Sequence, residues 1–476
     1  MLRRPAKPKR LLSIAHFHPD IYRGGAQQAG YELFKGFDAL EDYDAFFLAG
    51  SPRHIQPNLI PRDVTIVRHD GRANEFLLGV DTWDSFWLSN TGLSGGEWRD
   101  VLGFLRALQP DIIHFNHVIN TGIELLHLAQ VACPKARIVY TLHEFVPICH
   151  ANGQMVRTRR QGLCDRASWS RCAMCFPDRH PDEFFLRDRW IRAHFTHVDR
   201  FVAPSRFLLQ RYLDWGLAED DIVFIDYGRL ADGRAPRGTP PASEQRNRFG
   251  FLGQLIDCKG LDCLVDAAAL LVKRGIAEFE VRIHGANLEL ASEALQSKFA
   301  DGVETYSQLK FFGSYFNYEL PRHTAAVDWF VVPSVWWENS PLVIQEAFMA
   351  RRPVLCSNIG GMAEKVRDGI DGLYFAAGDA ASLADAMARC LTEPGLWDRL
   401  AANTPDVLAV EEAVEQHRKL CFENDLPKAR PRQLWEASWA DSVRITAGSD
   451  AAEPKAAPFR LPDSFSASTH DWLLDS

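Results

Sequence analysis

The fold is decided most clearly by residues 333–347, which read PSVWWENSPLVIQEA. An apolar run before them predicts a strand that ends near Ser334, and the apolar spacing in their second half predicts a helix over 342–350. Ser340 is a good helix N-cap and Pro341 suits a first helical turn. Because a helix N-terminus offers free N–H groups and partial positive charge, the stretch predicts an anion site at the carboxyl end of a parallel strand.

Two glutamates lie eight positions apart in this stretch, Glu338 in the loop and Glu346 in the predicted helix. A helical path between them would cover about 12 Å, which suits the length of one nucleotide sugar. Ionised carboxylates accept hydrogen bonds from hydroxyl groups, so we expect one at the sugar and the other at the ribose. An ordinary amphipathic helix with two solvated glutamates is the alternative interpretation.

Outward from this stretch, short apolar runs alternate with helical patterns along most of the chain. The strands predicted in the first half are 10–17, 45–49, 64–68, 111–117, 137–143, 200–204 and 222–227. Helices are predicted there at 30–37, 97–108 and 207–215. The strands predicted in the second half are 249–253, 279–283, 309–312, 329–332, 353–356 and 372–375. Its helices are predicted at 261–273, 342–350 and 381–391. Such alternation predicts an α/β protein with two doubly wound, Rossmann-like domains that face a cleft.

The domain boundaries follow from breaks in this alternation. Residues 231–247 are rich in Arg, Gly, Pro and Ala and lack a hydrophobic period, which predicts a linker between an N-terminal domain at 1–230 and a C-terminal domain at 248–415. We expect residues 416–438 to form a helix that returns to the N-terminal domain. Residues 439–476, rich in Ala, Pro, Ser and Asp, predict a disordered tail.

Composition limits the classes of function. The chain has 476 residues, 46% of them hydrophobic, and a net charge of −9, which argues against broad nucleic-acid binding. The apolar run at 11–17 is too short to span a bilayer and has no cleavage site after it, so we expect a cytoplasmic protein. The basic segment 1–10 has two interpretations: contact with anionic lipid at the inner face of the membrane, or a solvated tail.

Glycines and histidines mark the cleft side of the first domain. Gly24 and Gly25 follow the first predicted strand and open a helix, where glycine lets the backbone pass close to a phosphate or an acceptor. His117 and His143 each end a predicted parallel strand, so both should lie near the cleft edge. A plain turn and satisfied structural histidines are the alternatives. The aromatic residues of 76–98 would either cover a sugar face or pin a loop as buried groups.

Four cysteines lie within 27 residues, with the spacing C-x14-C-x7-C-x2-C. They are Cys149, Cys164, Cys172 and Cys175. Thiolates in a reducing compartment, with one closely spaced pair, suggest a tetrahedral structural zinc site. Free thiols, and a disulfide or iron–sulfur site, are the alternative interpretations. We refer to residues 149–175 as the cysteine insert.

Three segments together resemble the retaining glycosyltransferase family 4, whose members have the GT-B fold. They are 333–347, similar to the family's E-x7-E region; 251–255 with Lys259 and Gly260, similar to its phosphate-binding loop; and 357–364 (SNIGGMAE) with 369–373, similar to the segment after the glutamates. The resemblance covers about residues 10–420 and is strongest over 249–376. It implies transfer of a sugar from a nucleotide-diphosphate sugar to a glycan or lipid-linked acceptor, as in polysaccharide biosynthesis.

The resemblance also implies roles for single residues. Glu338 would hold the donor sugar, Glu346 the ribose, and Lys259 the diphosphate, with His143 beside the donor sugar. The implied catalytic residues are Glu338 and His143. The implied donor-binding residues are Gly24, Gly25, Gly253, Gln254, Lys259, Ser340, Pro341, Leu342, Glu346, Gly360 and Gly361. Many relatives carry arginine where this chain has Gln254, so the grip on phosphate should rest more on Lys259 and the helix N-terminus.

Other functions remain open at this stage. No Asp-x-Asp pattern is visible in the candidate donor region, so we expect no cofactor for catalysis. A nucleotide-sugar epimerase or a phosphorylase-like enzyme would share the architecture, as would a non-enzymatic protein that binds nucleotide sugars. A dehydrogenase is disfavoured, because no G-x-G-x-x-G follows the first strand.

Overall fold

The computed structural model describes residues 7–22, 24–54, 59–159, 162–231 and 234–423. The predicted tail, most of the predicted 416–438 helix and the start of the basic segment therefore lie outside the described residues. Within them, the chain forms two sheets flanked by helices, and the predicted pair of Rossmann-like α/β domains facing a cleft is confirmed.

The first sheet has eight strands in the order β3-β4-β2-β1-β5-β6-β7-β8. They are β1 (Lys9–Ala15), β2 (Tyr43–Pro52), β3 (Ile66–Arg68), β4 (Glu75–Val80), β5 (Ile112–Phe115), β6 (Arg137–Thr141), β7 (Arg200–Ala203) and β8 (Ile222–Phe224). All pairs are parallel except β3 with β4. Leu11, Leu12 and Ile14 of the central β1 are inaccessible to solvent, as expected of a strand covered by helices on both faces.

Six helices lie among the described residues of this domain before the linker. They are α1 (Gly25–Asp38), α2 (Gly95–Leu108), α3 (Glu124–Ala132), α4 (Trp169–Cys175), α5 (Pro181–Phe195) and α6 (Arg206–Trp215). Local sequence explains where several begin. Ser94 and Glu97 form a reciprocal capping box at α2, and Pro181 occupies the first turn of α5, where its missing N–H costs nothing.

The second sheet has six parallel strands in the order β11-β10-β9-β12-β13-β14. They are β9 (Arg248–Leu252), β10 (Glu280–His284), β11 (Leu309–Phe311), β12 (Trp329–Val332), β13 (Val354–Ser357) and β14 (Gly372–Phe375). Its helices are α7 (Leu261–Lys273), α8 (Glu293–Thr305), α9 (Leu320–Ala325), α10 (Leu342–Met349), α11 (Gly360–Lys365), α12 (Ala380–Thr392) and α13 (Leu396–Ala402).

The chain then returns to the first domain through α14 (Val410–His417) and a π-helical turn, Arg418–Phe422. Val410 and Val414 approach Gly36 so closely that an added Cβ there would lie 2.8–2.9 Å from their methyl groups. Phe422 packs against Phe37 with 5.2 Å between ring centroids. The return therefore begins earlier than residue 416 and completes one apolar face of the first domain.

Several elements differ from the sequence expectations. β4 was not predicted, and neither were α3, α5 and α8. The predicted 64–68 strand is the short antiparallel edge β3. No helix among the described residues is both long enough and apolar enough to cross a bilayer.

Candidate active site

A cavity of about 630 Å³ lies between the two domains, at the carboxyl ends of β1, β5, β6, β9 and β12. Its volume falls in the range of small-molecule sites. The predicted site residues that line it are Gly24, Gly25, His117, His143, Gly253, Gln254, Lys259, Glu338, Ser340, Pro341, Leu342 and Glu346. The cavity therefore brings together residues from distant parts of the sequence and from both domains.

Glu338 is buried in the loop between β12 and α10, and its carboxylate makes several polar contacts in the cavity. Its Oε1 lies 2.7 Å from Nζ of Lys259 and also accepts hydrogen bonds from Ser334 Oγ at 2.7 Å and Trp336 Nε1 at 2.9 Å. Burial alone would raise the pKa of Glu338, but the ion pair with Lys259 and these hydrogen bonds bring it below its usual value. The carboxylate is therefore ionised.

Glu346 lies on α10 and contacts the segment that leaves the first domain. Its Oε1 is 3.2 Å from Nη1 of Arg229, and Nε of Arg229 is 3.1 Å from Oε2 of Glu32 on α1. Burial raises the pKa of Glu346, against the opposing effect of Arg229. Arg229 thus bridges two carboxylates from the two domains.

His143 follows β6 and is buried in the wall of the cavity. Its Nδ1 is 2.7 Å from the hydroxyl of Tyr227, whose ring stacks on the imidazole at 5.4 Å. Burial, with a smaller effect of His117, lowers the pKa of His143 to about 3, so the ring is neutral. Nε2 has no hydrogen-bond partner. When Tyr227 donates to Nδ1, Nε2 carries the hydrogen and is available to a ligand oxygen.

His117 is held by fixed partners on both nitrogens. Nδ1 accepts from the backbone N–H groups of Val118 and Ile119, both at 3.1 Å. This leaves the hydrogen on Nε2, which lies 3.0 Å from Oε1 of Glu144. The ring of His16 packs against His117 at 4.4 Å. These residues form a polar wall on the first-domain side of the cavity.

Two helix N-termini lie close together in the lining of the cavity. Gly24 is the N-cap of α1, and a Cβ on Gly25 would lie 3.7 Å from the side chain of Leu342, the first residue of α10. Both helix starts direct free N–H groups and partial positive charge toward the space between the domains. An anion bound between them would be stabilised from both sides.

The predicted cap of α10 is wrong in one respect. Pro341 occupies the N-cap position, and Ser340 makes no capping hydrogen bond. Oγ of Ser340 instead donates to Oδ1 of Asp226 at 3.2 Å. That carboxylate also pairs with Lys365 at 2.7 Å, so it attracts the hydroxyl away from the helix.

Gly360 and Gly361 do not line the cavity. Gly360 has φ of +58°, and the N–H of Gly361 donates to the carbonyl of Glu338 at 2.7 Å. A Cβ on Gly361 would lie only 1.5 Å from the carbonyl oxygen of Asn339. These glycines therefore allow α11 to pack directly on the backbone of the Glu338 loop.

The phosphate-loop residues flank the cavity on the second-domain side. Gly253 and Gln254 line it directly after β9. Lys259 is positioned by a short 3₁₀ turn that ends at Gly260, whose φ is +70°. A Cβ on Gly260 would lie 2.0 Å from the carbonyl oxygen of Pro333, so only glycine lets α7 begin this close to β12.

Sequence reasoning missed the contacts that join the domains. Asn339 donates to the carbonyl of His143 at 3.0 Å and accepts from Oγ of Ser205 at 2.7 Å. Glu364 accepts from the first two N–H groups of α6 at 2.8 and 2.7 Å. Tyr227 could have been found, because it ends a predicted strand at the carboxyl edge of the sheet. The partners of Asn339 and Glu364 are remote in sequence and carry no local signal.

In the described part of the chain, no three of the four insert cysteines have their sulfur atoms within 4.8 Å of one another. Among the described residues, which include all four, one group of three metal-ligating side chains has its ligand atoms within 4.8 Å: His18, Asp20 and His69. The guanidinium of Arg72 already pairs with this group, since its Nη2 lies 2.7 Å from Oδ2 of Asp20. Burial raises the pKa of Cys149 to about 12 and that of Cys172 to about 11. The predicted zinc therefore stays a prediction.

The aromatic residues of 76–98 do not line the cavity. Trp83 and Phe86 are buried, and the carbonyl of Trp87 accepts from Nε1 of Trp190 on α5 at 2.8 Å. They pin a loop to the helices of the first domain, the second of the two interpretations.

Protein-family models match both domains of this chain. Residues 24–228 match the family model described as Glycosyltransferase Family 4, and residues 246–393 match the one described as Glycosyl transferases group 1. D-inositol 3-phosphate glycosyltransferase of Geodermatophilus obscurus is 27% identical over 223 residues, 46% of this chain and 43% of that protein. GDP-mannose-dependent alpha-mannosyltransferase of Corynebacterium glutamicum is 25% identical over 220 residues, 45% and 49% of the two chains. The match spans less than half the length of both relatives.

Solved structures agree with this fold. HepE of Anabaena in complex with UDP is 17% identical, with a TM-score of 0.58, over 86% of this chain and 98% of that one. Sucrose-phosphate synthase of Thermosynechococcus elongatus is 16% identical, with a TM-score of 0.58, over 92% and 100%. The two facing domains define a protein of the GT-B class. Within that class, the chain belongs to glycosyltransferase family 4.

Proposed function

We propose that this chain transfers a sugar from a nucleotide-diphosphate sugar to a hydroxyl group of a glycan or lipid-linked acceptor, with retention at the anomeric carbon. The observation that carries the proposal is the Glu338–Lys259 pair, 2.7 Å apart, beside two neighbouring helix N-termini in a cavity between the domains. Family membership and relatives named for a UDP complex and for GDP-mannose support a nucleotide-sugar donor. A cytoplasmic role in polysaccharide biosynthesis is part of the same proposal.

Transfer of the sugar requires the site to stabilise a departing diphosphate. The bond between the anomeric carbon and the phosphate oxygen breaks, and its electron pair leaves with the nucleoside diphosphate. Lys259 and the N-termini of α1 and α10 would stabilise that charge without reorganisation, which is electrostatic preorganisation. The acceptor oxygen then bonds to the anomeric carbon on the face that the diphosphate leaves, and its proton passes to the departing phosphate. We propose these steps without a catalytic metal ion, because no Asp-x-Asp pattern is visible in the candidate donor region.

The two carboxylates and the neutral histidine would orient the donor. Glu338 would accept from sugar hydroxyls, and the N–H of His143 at Nε2 would donate to a sugar oxygen. Glu346 would accept from ribose hydroxyls at the other end of the cavity. Lys259 has to exchange its contact with Glu338 for the phosphates as the donor enters.

Thermal unfolding of the protein with UDP, GDP, ADP, dTDP and NAD⁺ tests donor binding. A ligand at about 100 times its dissociation constant stabilises the native state by about 2.7 kcal/mol. Stabilisation by one nucleoside diphosphate supports the proposal and names the donor base. The proposal is contradicted if none of the four nucleoside diphosphates stabilises the protein, or if NAD⁺ alone does.

The first prediction concerns transfer itself. Glu338→Ala should lower transfer at least about 100-fold, because it removes a contact that orients the sugar during the reaction. Product is measured by mass spectrometry with the nucleotide sugar found above and an extract of glycan and lipid-linked acceptors. Glu304→Ala, an exposed glutamate on α8, is the matched control and should retain activity. Normal turnover by folded Glu338→Ala would refute the role of Glu338. If the parent protein binds a nucleotide but forms no product, the result would favour a non-enzymatic binding protein.

A further inference from the structure

Trp337 reaches from the donor loop of the second domain into the first domain. Its indole Nε1 donates to the carbonyl oxygen of Cys164 in the cysteine insert at 2.9 Å. Its ring packs against Phe207 on α6 with 5.1 Å between centroids, and the guanidinium of Arg211 lies 5.1 Å from the ring centroid. The indole is therefore held on one edge by the insert and on its faces by α6.

The acceptor carbonyl is itself fixed. The N–H of Cys164 donates to the carbonyl of Met155 at 2.6 Å, next to a short antiparallel bridge between Val156 and Leu163. Nη1 of Arg211 donates to the carbonyl of Asp165 at 2.7 Å. The insert and α6 thus form one preformed pocket for the indole, which we call the Trp337 pocket: Cys164, Asp165, Phe207 and Arg211.

Trp337 is covalently close to the carboxylate that carries the proposed function. Trp336 donates its indole N–H to Oε1 of Glu338 at 2.9 Å, and Trp337 lies between these two residues. The same α6 accepts the Glu364 cap at its N-terminus. The backbone of residues 336–338 is thereby attached to the first domain one residue before the donor carboxylate, while Trp336 and Glu338 on either side of Trp337 line the cavity.

We propose that Trp337 is a positioning residue: seated in the Trp337 pocket, it holds the Glu338 loop against the first domain and couples the cysteine insert to donor binding. This inference rests on the proposed function, since it concerns the affinity for the donor nucleotide. Loss of the indole hydrogen bond should leave the Glu338 loop free to separate from the first domain. Donor affinity should fall, although Trp337 does not act on the reacting atoms.

The test compares two tryptophans in the full-length protein. Trp337→Phe removes the hydrogen bond to Cys164 but keeps an aromatic ring in the pocket. Trp190→Phe removes an indole-to-carbonyl bond of similar length, 2.8 Å, from a half-buried tryptophan outside the cavity. We expect the dissociation constant of the stabilising nucleoside diphosphate, measured by calorimetry, to rise about three- to tenfold in Trp337→Phe, the net worth of one hydrogen bond. Trp190→Phe should bind like the parent protein.

A double-mutant cycle with Arg211→Met separates positioning from general destabilisation. Arg211 contacts Trp337 and the insert carbonyl of Asp165, so its loss should weaken nucleotide binding, and the double variant should bind no worse than the weaker single variant. Parent-like binding by Trp337→Phe, or equal weakening in Trp190→Phe, would overturn the inference. A parent protein that binds no nucleoside diphosphate would instead overturn the proposed function.

Discussion

At the scale of single residues, the site is built around one ion pair. Both partners would contact the donor, and no longer each other, once a donor is bound. Lys259 and Glu338 neutralise each other at 2.7 Å, and burial makes either charge costly alone. A donor that offers phosphates to Lys259 and hydroxyls to Glu338 replaces this contact without leaving a buried charge unpaired. The pair therefore keeps both groups charged and in place before the donor arrives.

Removing the lysine should therefore affect both stability and binding. Lys259→Ala leaves the carboxylate of Glu338 without its cation, so we expect a lower melting temperature and about ten- to hundredfold weaker binding of the nucleoside diphosphate. Lys298→Ala removes a lysine paired with Asp266 at 2.5 Å on the exposed face of α8 and is the matched control. Unchanged nucleotide affinity in Lys259→Ala, measured by calorimetry, would argue against its role at the phosphates.

A second prediction at the scale of single residues concerns Gly361. A methyl group on Gly361 would overlap the carbonyl oxygen of Asn339, at 1.5 Å, and backbone cannot yield as a flexible side chain does. Gly361→Ala should lower the melting temperature and displace the Glu338 loop, so that nucleotide affinity falls as well. Gly95→Ala at the start of α2 meets no atom within 4 Å and should be neutral or slightly stabilising. Equal melting temperatures for both variants would contradict this account.

At the scale of elements, the sequence predicted those whose hydrophobic pattern is unmixed. α7 and β12 have the predicted bounds, because each carries a continuous apolar pattern between clear breaks. β4, with the sequence EFLLGV, was missed because it begins with a glutamate and contains a glycine. α5 was missed because six charged residues, three of them arginines, interrupt its apolar period, although two of the arginines, Arg187 and Arg192, are buried by partners elsewhere in the fold.

The candidate site likewise contains residues that the sequence could predict and residues that it could not. Residues whose chemistry follows from local position, such as Gly24, Lys259 and Glu346, could be named from the sequence and line the cavity. The contacts of Asn339, Asp226 and Arg229 depend on how the two domains meet, which no local pattern records. The choice of Ser340 between a helix cap and Asp226 is decided by that same meeting of domains.

The cysteine insert carries a prediction of its own. A zinc ion bound by its thiolates would appear in elemental analysis of protein purified without a histidine tag, at about one ion per chain. Cys172→Ser with Cys175→Ser should remove it, whereas Cys390→Ser on α12, a buried cysteine of the second domain, should not. Because thiols must ionise to bind the metal, occupancy should fall as the pH is lowered. Parent protein without stoichiometric metal would contradict the zinc prediction.

At the scale of the whole molecule, buried neutral histidines should make the fold sensitive to mild acid. Burial lowers the pKa of His143 to about 3 and that of His417 to about 4, against 6.5 in the unfolded chain. Because the unfolded state takes up these protons first, the stabilisation is complete above about pH 6.5 and is lost as the pH falls below it, by up to about 1.4 kcal/mol per pH unit for each histidine.

Urea unfolding between about pH 7.5 and about pH 5.5 measures this loss as a slope of unfolding free energy against pH. His417→Gln should reduce the slope, since His417, the last residue of α14, is buried against His114 of the first sheet. His180→Gln, at an exposed helix cap, should leave the slope unchanged. A flat profile over this range would contradict the assignment of neutral buried rings.

The return of the chain to the first domain has a consequence for synthesis. The first sheet is complete at Phe224, but Val410, Val414 and Phe422, which pack against Gly36 and Phe37 of α1, follow the second domain in the chain. A ribosome has to make the entire second domain before these residues emerge, which takes on the order of ten seconds or more. During that interval the nascent first domain presents an uncovered apolar groove, the kind of surface that chaperones bind during translation.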